Sequence, residues 1–125
     1  MKINTIIKNN KTIAVFSGDE KVITDVQSAL DLIMTSKYEC NTNFIAVDKK
    51  IVADDFFVLS SRLAGKILQK FVNYQAKLAI FGDYSKYTSK PLKDFIFESN
   101  KGKNIFFVAD ENQAIEKLSM VKEVI

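Results

Sequence analysis

The sequence contains no histidine and a single cysteine, Cys40. The lack of histidine excludes Ser–His–Asp and Cys–His catalysis and the commonest zinc sites. A lone cysteine makes no internal disulfide, which fits a reducing compartment. Carboxylates remain as metal ligands, but none falls in a ligand-like spacing, so no metal is expected. Four glycines and one proline are too few for a disordered or low-complexity chain. No apolar run approaches the roughly 20 residues that span a bilayer. Met1-Lys2-Ile3-Asn4 opens no long apolar segment with a small-residue cleavage site. These absences point to a cytoplasmic protein that does not enter a membrane.

What is present describes a globular chain. Its 125 residues are 47% hydrophobic and 26% charged. A chain of this size buries about two-thirds of its unfolded surface and needs no covalent staple. No linker or repeat divides it, so residues 1–125 are expected to form a single α/β domain. The net charge of +3 comes from 18 basic and 15 acidic residues interspersed along the chain. A nucleic-acid binder usually concentrates its basic residues, so nucleic acid is not an expected partner.

Hydrophobic periodicity sets the element order. Ile3–Ile7 and Thr12–Phe16 flank Asn9-Asn10, and asparagine tolerates the left-handed backbone of a tight hairpin turn. Thr24 and Gln27 have capping-box spacing before a helix over about 25–36. Phe44–Val47 reads as a buried strand. A connecting segment follows, in which Asp54 or Asp55 caps a short helical turn. Ser60-Ser61 offers an N-cap for the clearest helix, with Leu63, Ala64, Ile67, Leu68, Phe71 and Val72 as its inner stripe. Gly65 lies inside that helix at a cost of about 1 kcal/mol, and a close packing contact, with the sheet or with a partner, is the expected reason. Leu78–Phe81 is the next strand, closed by Gly82-Asp83. Pro91 suits a first helical turn, and Asn100-Lys101-Gly102 is a stop. Ile105–Val108 is the last strand, and Asp110 with Gln113 caps a final helix. The order is ββαβαβαβα, with a mostly parallel sheet reached by right-handed crossovers.

That order resembles the STAS fold of anti-sigma-factor antagonists and of the cytoplasmic ends of sulfate transporters. The stretch Ser60-Ser61-Arg62-Leu63-Ala64-Gly65-Lys66-Ile67-Leu68 is similar to the antagonists' Asp-Ser-Ser-Gly-Leu-Gly pattern, whose second serine a kinase phosphorylates. Leu59 stands in place of the Asp, Arg62 in place of the Gly, and one extra residue precedes Ile67-Leu68. The resemblance implies a STAS-like regulatory or protein-interaction module without enzymatic activity. It also implies Ser61 as the phosphorylation position, within a partner site of Ser60, Ser61 and Arg62. Over nearly the full length, three segments look like a small bacterial family catalogued as a domain of unknown function. They are Leu63–Phe71, Leu78–Tyr87 and Phe97–Gly102. This second resemblance implies a bacterial cytoplasmic protein and carries over no functional residue.

Read from the residues, two places can carry function. Ligands favour the crevice beyond the carboxyl ends of parallel strands. Those ends supply Asp48, Ser60, Ser61, Asp83, Tyr84, Ser85 and Lys86. In the loop Asp83-Tyr84-Ser85-Lys86-Tyr87 the two tyrosines are placed to flank a planar ligand, and Lys86 with Lys90 to attract phosphate. That loop supports an alternative reading, a nucleotide- or phosphate-type binding protein. The bland readings are that Ser60 or Ser61 caps a helix and that Asp83 ends a strand. Glu98 is expected to pair with a lysine, Lys66 and Lys70 to lie on a solvated face, and Cys40 to be an ordinary thiol. No residue is assigned to catalysis and no cofactor is expected. The expected partners are another protein and, through the exposed hairpin edge or the helix faces, a second copy of the chain.

Overall fold

The computed structural model describes residues 1–122, and the last three residues of the expected 1–125 domain lie outside it. Five strands form one sheet in the order β1-β2-β3-β4-β5. They are β1 (Lys2–Lys8), β2 (Lys11–Ser17), β3 (Phe44–Asp48), β4 (Lys77–Phe81) and β5 (Ile105–Val108). The first pair is antiparallel and all later pairs are parallel. The helices are α1 (Val26–Glu39), α2 (Leu63–Asn73), α3 (Lys90–Lys101) and α4 (Glu111–Ser119). The element order is therefore ββαβαβαβα, as the periodicity predicts.

Alternation along the strands builds two cores. Phe16, Ile45, Val47, Leu78, Ile80 and Phe107 face α1, α2 and α3 through Leu32, Ile33, Ile67, Phe71 and Leu92. Their neighbours Ile13, Val15, Ala46, Ala79 and Phe106 point the other way, onto Ala114, Ile115 and Leu118 of α4. A strand buried on both faces reads as a continuous apolar run, and β2, β3 and β4 do. β1 is an edge strand with Ile7 76% exposed. Asn9 and Asn10, at φ 52° and 63°, make its turn left-handed at both positions, as the hairpin requires. Among the described residues no helix is long and apolar enough to cross a membrane.

Several local expectations need correction. The cap of α1 is Asp25, one residue beyond Thr24. Its carboxylate accepts from the Ser28 amide at 2.8 Å, and the Ser28 hydroxyl accepts from the Asp25 amide at 3.0 Å. Gln27 turns outward and donates to Asp31. A serine closes the box because its short side chain reaches back without leaving the first turn. The connecting segment winds into short 3-10 turns at Lys49–Ile51, Asp54–Phe57 and Leu59–Ser61. Ala53 precedes the second of these with no side-chain cap, so neither Asp54 nor Asp55 caps it. Arg62, not a serine, occupies the N-cap position of α2. Val72 is 44% exposed rather than part of the inner stripe. A Cβ on Gly65 would meet nothing within 4 Å, so no close contact with the sheet accounts for that glycine.

Candidate functional site

The carboxyl ends of β3 and β4 and the turns after them gather most of the polar and aromatic side chains expected to function. Asp48 ends β3 and accepts from the Lys50 amide at 2.9 Å, which starts the 3-10 turn and sends Lys49 back over the sheet. Gly82 follows β4, where an added Cβ would stand 2.6 Å from the Cβ of Lys49. Only glycine allows this approach of backbone to side chain. The Lys49 ammonium then lies 4.9 Å from the Tyr87 ring centroid, 5.1 Å from Phe57 and 5.9 Å from Tyr84. Partial burial, and next the charge of Lys21, hold its pKa below the usual lysine range. Ring faces supply part of the cation's solvation in exchange.

The Asp83–Tyr87 loop is packed by its own aromatics. Tyr84 turns inward and its hydroxyl donates to the Ile80 carbonyl at 2.7 Å. Burial pushes its phenol pKa well above the ordinary value. Tyr87 stacks on Phe57 at 5.2 Å with 20° between the planes. The two tyrosine centroids are 6.3 Å apart and inclined by 36°, already within the range of paired rings. Tyr84 thus acts as an anchor and Tyr87 as part of the lysine enclosure. Asp83 accepts from the Ser85 amide at 2.8 Å. Hydrogen bonds from Ser85, with Lys49 and Lys86 nearby, hold its carboxyl below the usual range. Lys86 is exposed, 5.4 Å from the Tyr87 ring. Lys90 pairs with Asp94 at 2.7 Å along α3.

Phe57 joins this loop to the serines, because the turn that carries it runs directly into Leu59–Ser61. The Ser61 hydroxyl donates to the Asp55 carbonyl at 2.7 Å and accepts from the Leu63 amide at 3.2 Å. It therefore serves the helix start even though Arg62 holds the cap position. Ser60 is exposed beside it and its hydroxyl has no intramolecular partner among the described residues. Arg62 adopts φ 63°, the left-handed region that a side chain disfavours. It is exposed, and no carboxylate pairs with it among the described residues. Val58, 49% exposed, adds an apolar neighbour.

Three participants escape a reading of the sequence. Lys49 looks like the end of a strand and Phe57 like core. Asn100 looks like part of a helix stop, yet its amide clamps β5. Its Nδ2 donates to the Phe107 carbonyl at 3.1 Å and its Oδ1 accepts from the Phe107 amide at 2.7 Å. No local signal marks that role, because the partner lies seven residues on, across a turn. Asn100, Gly82, Asp83, Tyr84, Phe107 and Gln113 line an open cleft of about 600 Å³. Glu98 pairs with Lys101 at 3.5 Å, as a carboxylate at a helix end should. Cys40 follows α1, and burial with Glu39 nearby raises its thiol pKa, the opposite of activation. Among the described residues no group of three His, Cys, Asp or Glu side chains converges to hold a metal ion.

A family model described as a domain of unknown function (DUF4180) matches residues 8–118. No curated protein matches the chain. One solved structure that matches is a Thermotoga maritima protein provisionally described as an anti-sigma factor antagonist. It is 12% identical, covers 93% of both chains and superposes with a TM-score of 0.47. At that level of similarity no residue role is transferred from it.

Proposed function

This chain belongs to the DUF4180 domain family, and we propose that it is a regulatory protein-interaction module acting by binding rather than catalysis. The reading treats residues 1–125 as one α/β domain at work in a bacterial cytoplasm. Its partner surface is the turn Val58–Arg62 with the adjoining start of α2. The observation that carries it is Arg62. An exposed arginine held left-handed costs about 1–3 kcal/mol where glycine would cost less. Strain of this kind clusters at functional sites, and a guanidinium with no carboxylate partner among the described residues suits an acidic group on a partner. Ser60 and Ser61 beside it are the candidate phosphorylation sites. Ser60 presents a hydroxyl without an intramolecular partner among the described residues, whereas modification of Ser61 breaks its bond to the Asp55 carbonyl and so loosens the turn.

Incubation with the kinases of the host, followed by mapping of modified peptides, tests the phosphorylation. Modification at Ser60 or Ser61 that changes binding to the partner is the expected result. No modification there, together with partner binding unaltered in Ser61→Ala and Arg62→Gly, overturns the reading. The β1 edge adds a second partner, another copy of the chain. Sedimentation of wild type against Thr5→Pro, which removes an edge donor, checks it.

The cleft beside Asp83 and Tyr84 supports a second reading, a small-molecule binding protein of nucleotide or phosphate type. Its volume of about 600 Å³ falls within the range of ligand pockets. A thermal-shift screen of metabolites checks it, since a bound ligand raises the melting temperature. Shifts that survive Asp83→Ala and Tyr84→Phe move the site elsewhere.

A further inference from the structure

The opposite end of the sheet carries a second, larger cleft, of about 980 Å³. It lies where the parallel strands begin, away from the Ser60–Arg62 turn. Lys11, Lys37, Lys77, Lys103 and Lys122 line it, and among the described residues no Asp or Glu does. These five charges exceed the whole excess of +3 carried by the chain, so the remainder of the chain is net acidic. The lysines look scattered along the sequence, and the fold collects them.

The helices provide a structural role for some of this charge. A helix that returns between parallel strands ends where they begin, and each carboxyl end presents roughly half a negative charge. Lys11 is used in this way, donating to the Ser119 carbonyl at the end of α4 at 2.8 Å and to the Val121 carbonyl. Four such ends offset about two of the five charges. Lys77 donates to the Asn104 side chain, a neutral partner. None of the five lysines meets a carboxylate among the described residues. A positive surplus therefore remains.

The rest of the lining indicates the class of anion. Asn10, Asn41 and Gln75 stand in the left-handed region, at φ 63°, 55° and 56°, and all three line this cleft. Glycine would fit each backbone with less strain. Their amides add neutral donors between the ammonium groups. The aromatic ring in the lining, Phe44, is buried, with the Lys11 ammonium 5.6 Å from its centroid, so no open ring face offers a stacking platform. A single small anion would use a fraction of a cleft this wide. We propose that it binds a chain of linked phosphate groups, recognised through phosphate oxygens and not through a base. Inorganic polyphosphate and the phosphate tail of a nucleotide share that chemistry.

Calorimetric titration of the full chain with sodium tripolyphosphate, ATP and inorganic phosphate separates these sources. Tripolyphosphate is expected to bind, more weakly as salt rises and about tenfold or more weakly in the double variant Lys37→Gln/Lys103→Gln. Both lysines are exposed, so the variant is expected to fold, and its circular dichroism should match the wild type. The control Lys66→Gln/Lys70→Gln, which removes the same charge from α2, should leave binding unchanged. ATP binding no more tightly than tripolyphosphate supports recognition of the phosphate chain alone. Binding of ATP without binding of tripolyphosphate, an equal loss in the control variant, or no binding of tripolyphosphate at low salt overturns the proposal.

Discussion

Arg62 and Gly65 invert the usual assignment of glycine to strained places, and Gly82 keeps it. Arg62 takes a left-handed backbone without glycine's freedom, whereas Gly65 has that freedom in the middle of a helix with nothing near it. Arg62→Gly should raise stability by about 1 kcal/mol, the relieved strain less the added unfolded entropy. Gly65→Ala should add about 1 kcal/mol through helix propensity alone. Gly82→Ala should cost about 1–3 kcal/mol, because the new methyl meets the stem of Lys49 and not its movable tip. Urea denaturation of the three variants orders them. A neutral Gly82→Ala would show that Lys49 is not confined. Sequence patterns hold little of this, since a glycine and an arginine in letters carry no φ.

At the scale of elements, the caps are the legible part. Asp110 accepts from the Gln113 amide at 2.9 Å, and the Gln113 side chain accepts from the Ala109 amide at 3.2 Å. The first bond follows from three-residue spacing and was readable directly, whereas the second reaches the residue before the cap, four positions back, in place of the cap's own amide. Asp110→Ala is expected to lower stability by about 1 kcal/mol. Because α4 is the one helix on its face of the sheet among the described residues, the loss should appear as faster amide exchange in β2 and β4 as well as in α4. Exchange confined to α4 would mean that the helix frays without exposing the sheet. The cap of α1 was readable in kind but not in position, because Thr24, Asp25 and Ser28 all have cap chemistry. The three-dimensional chain path selected the carboxylate. Of the 3-10 turns between β3 and α2, the one at Asp54–Phe57 was expected as a short helical turn and the other two were not, and together they carry both Phe57 and the serines.

The whole molecule should answer to acid through two exposed carboxylates. Asp25 is held below its ordinary pKa by the Ser28 hydrogen bonds, and Asp83 chiefly by those from Ser85. A carboxyl with a depressed folded pKa lends stability above its unfolded pKa, near 4, and loses it as pH falls through the folded value. Melting temperature should therefore fall from about pH 4 downward. The fall should be shallower in Asp25→Ala and Asp83→Ala, measured against wild type in one buffer series. Identical slopes in all three proteins would show that neither carboxylate contributes.

Periodicity determined the succession of elements in this protein. Alternation and the 3.6-residue repeat are local properties, and a short chain that must bury apolar runs leaves them few arrangements. The caps, the hairpin turn and the proline at the start of α3 belong to the same local chemistry. Tertiary structure decided that α4 covers the face of the sheet opposite α1, α2 and α3 and that Lys49 lies among Phe57, Tyr84 and Tyr87. It also decided that five dispersed lysines share one cleft. Each of these depends on contacts between residues far apart in the chain. The four parallel strands β2–β5 make them by bringing their beginnings to one end of the molecule and their terminations to the other.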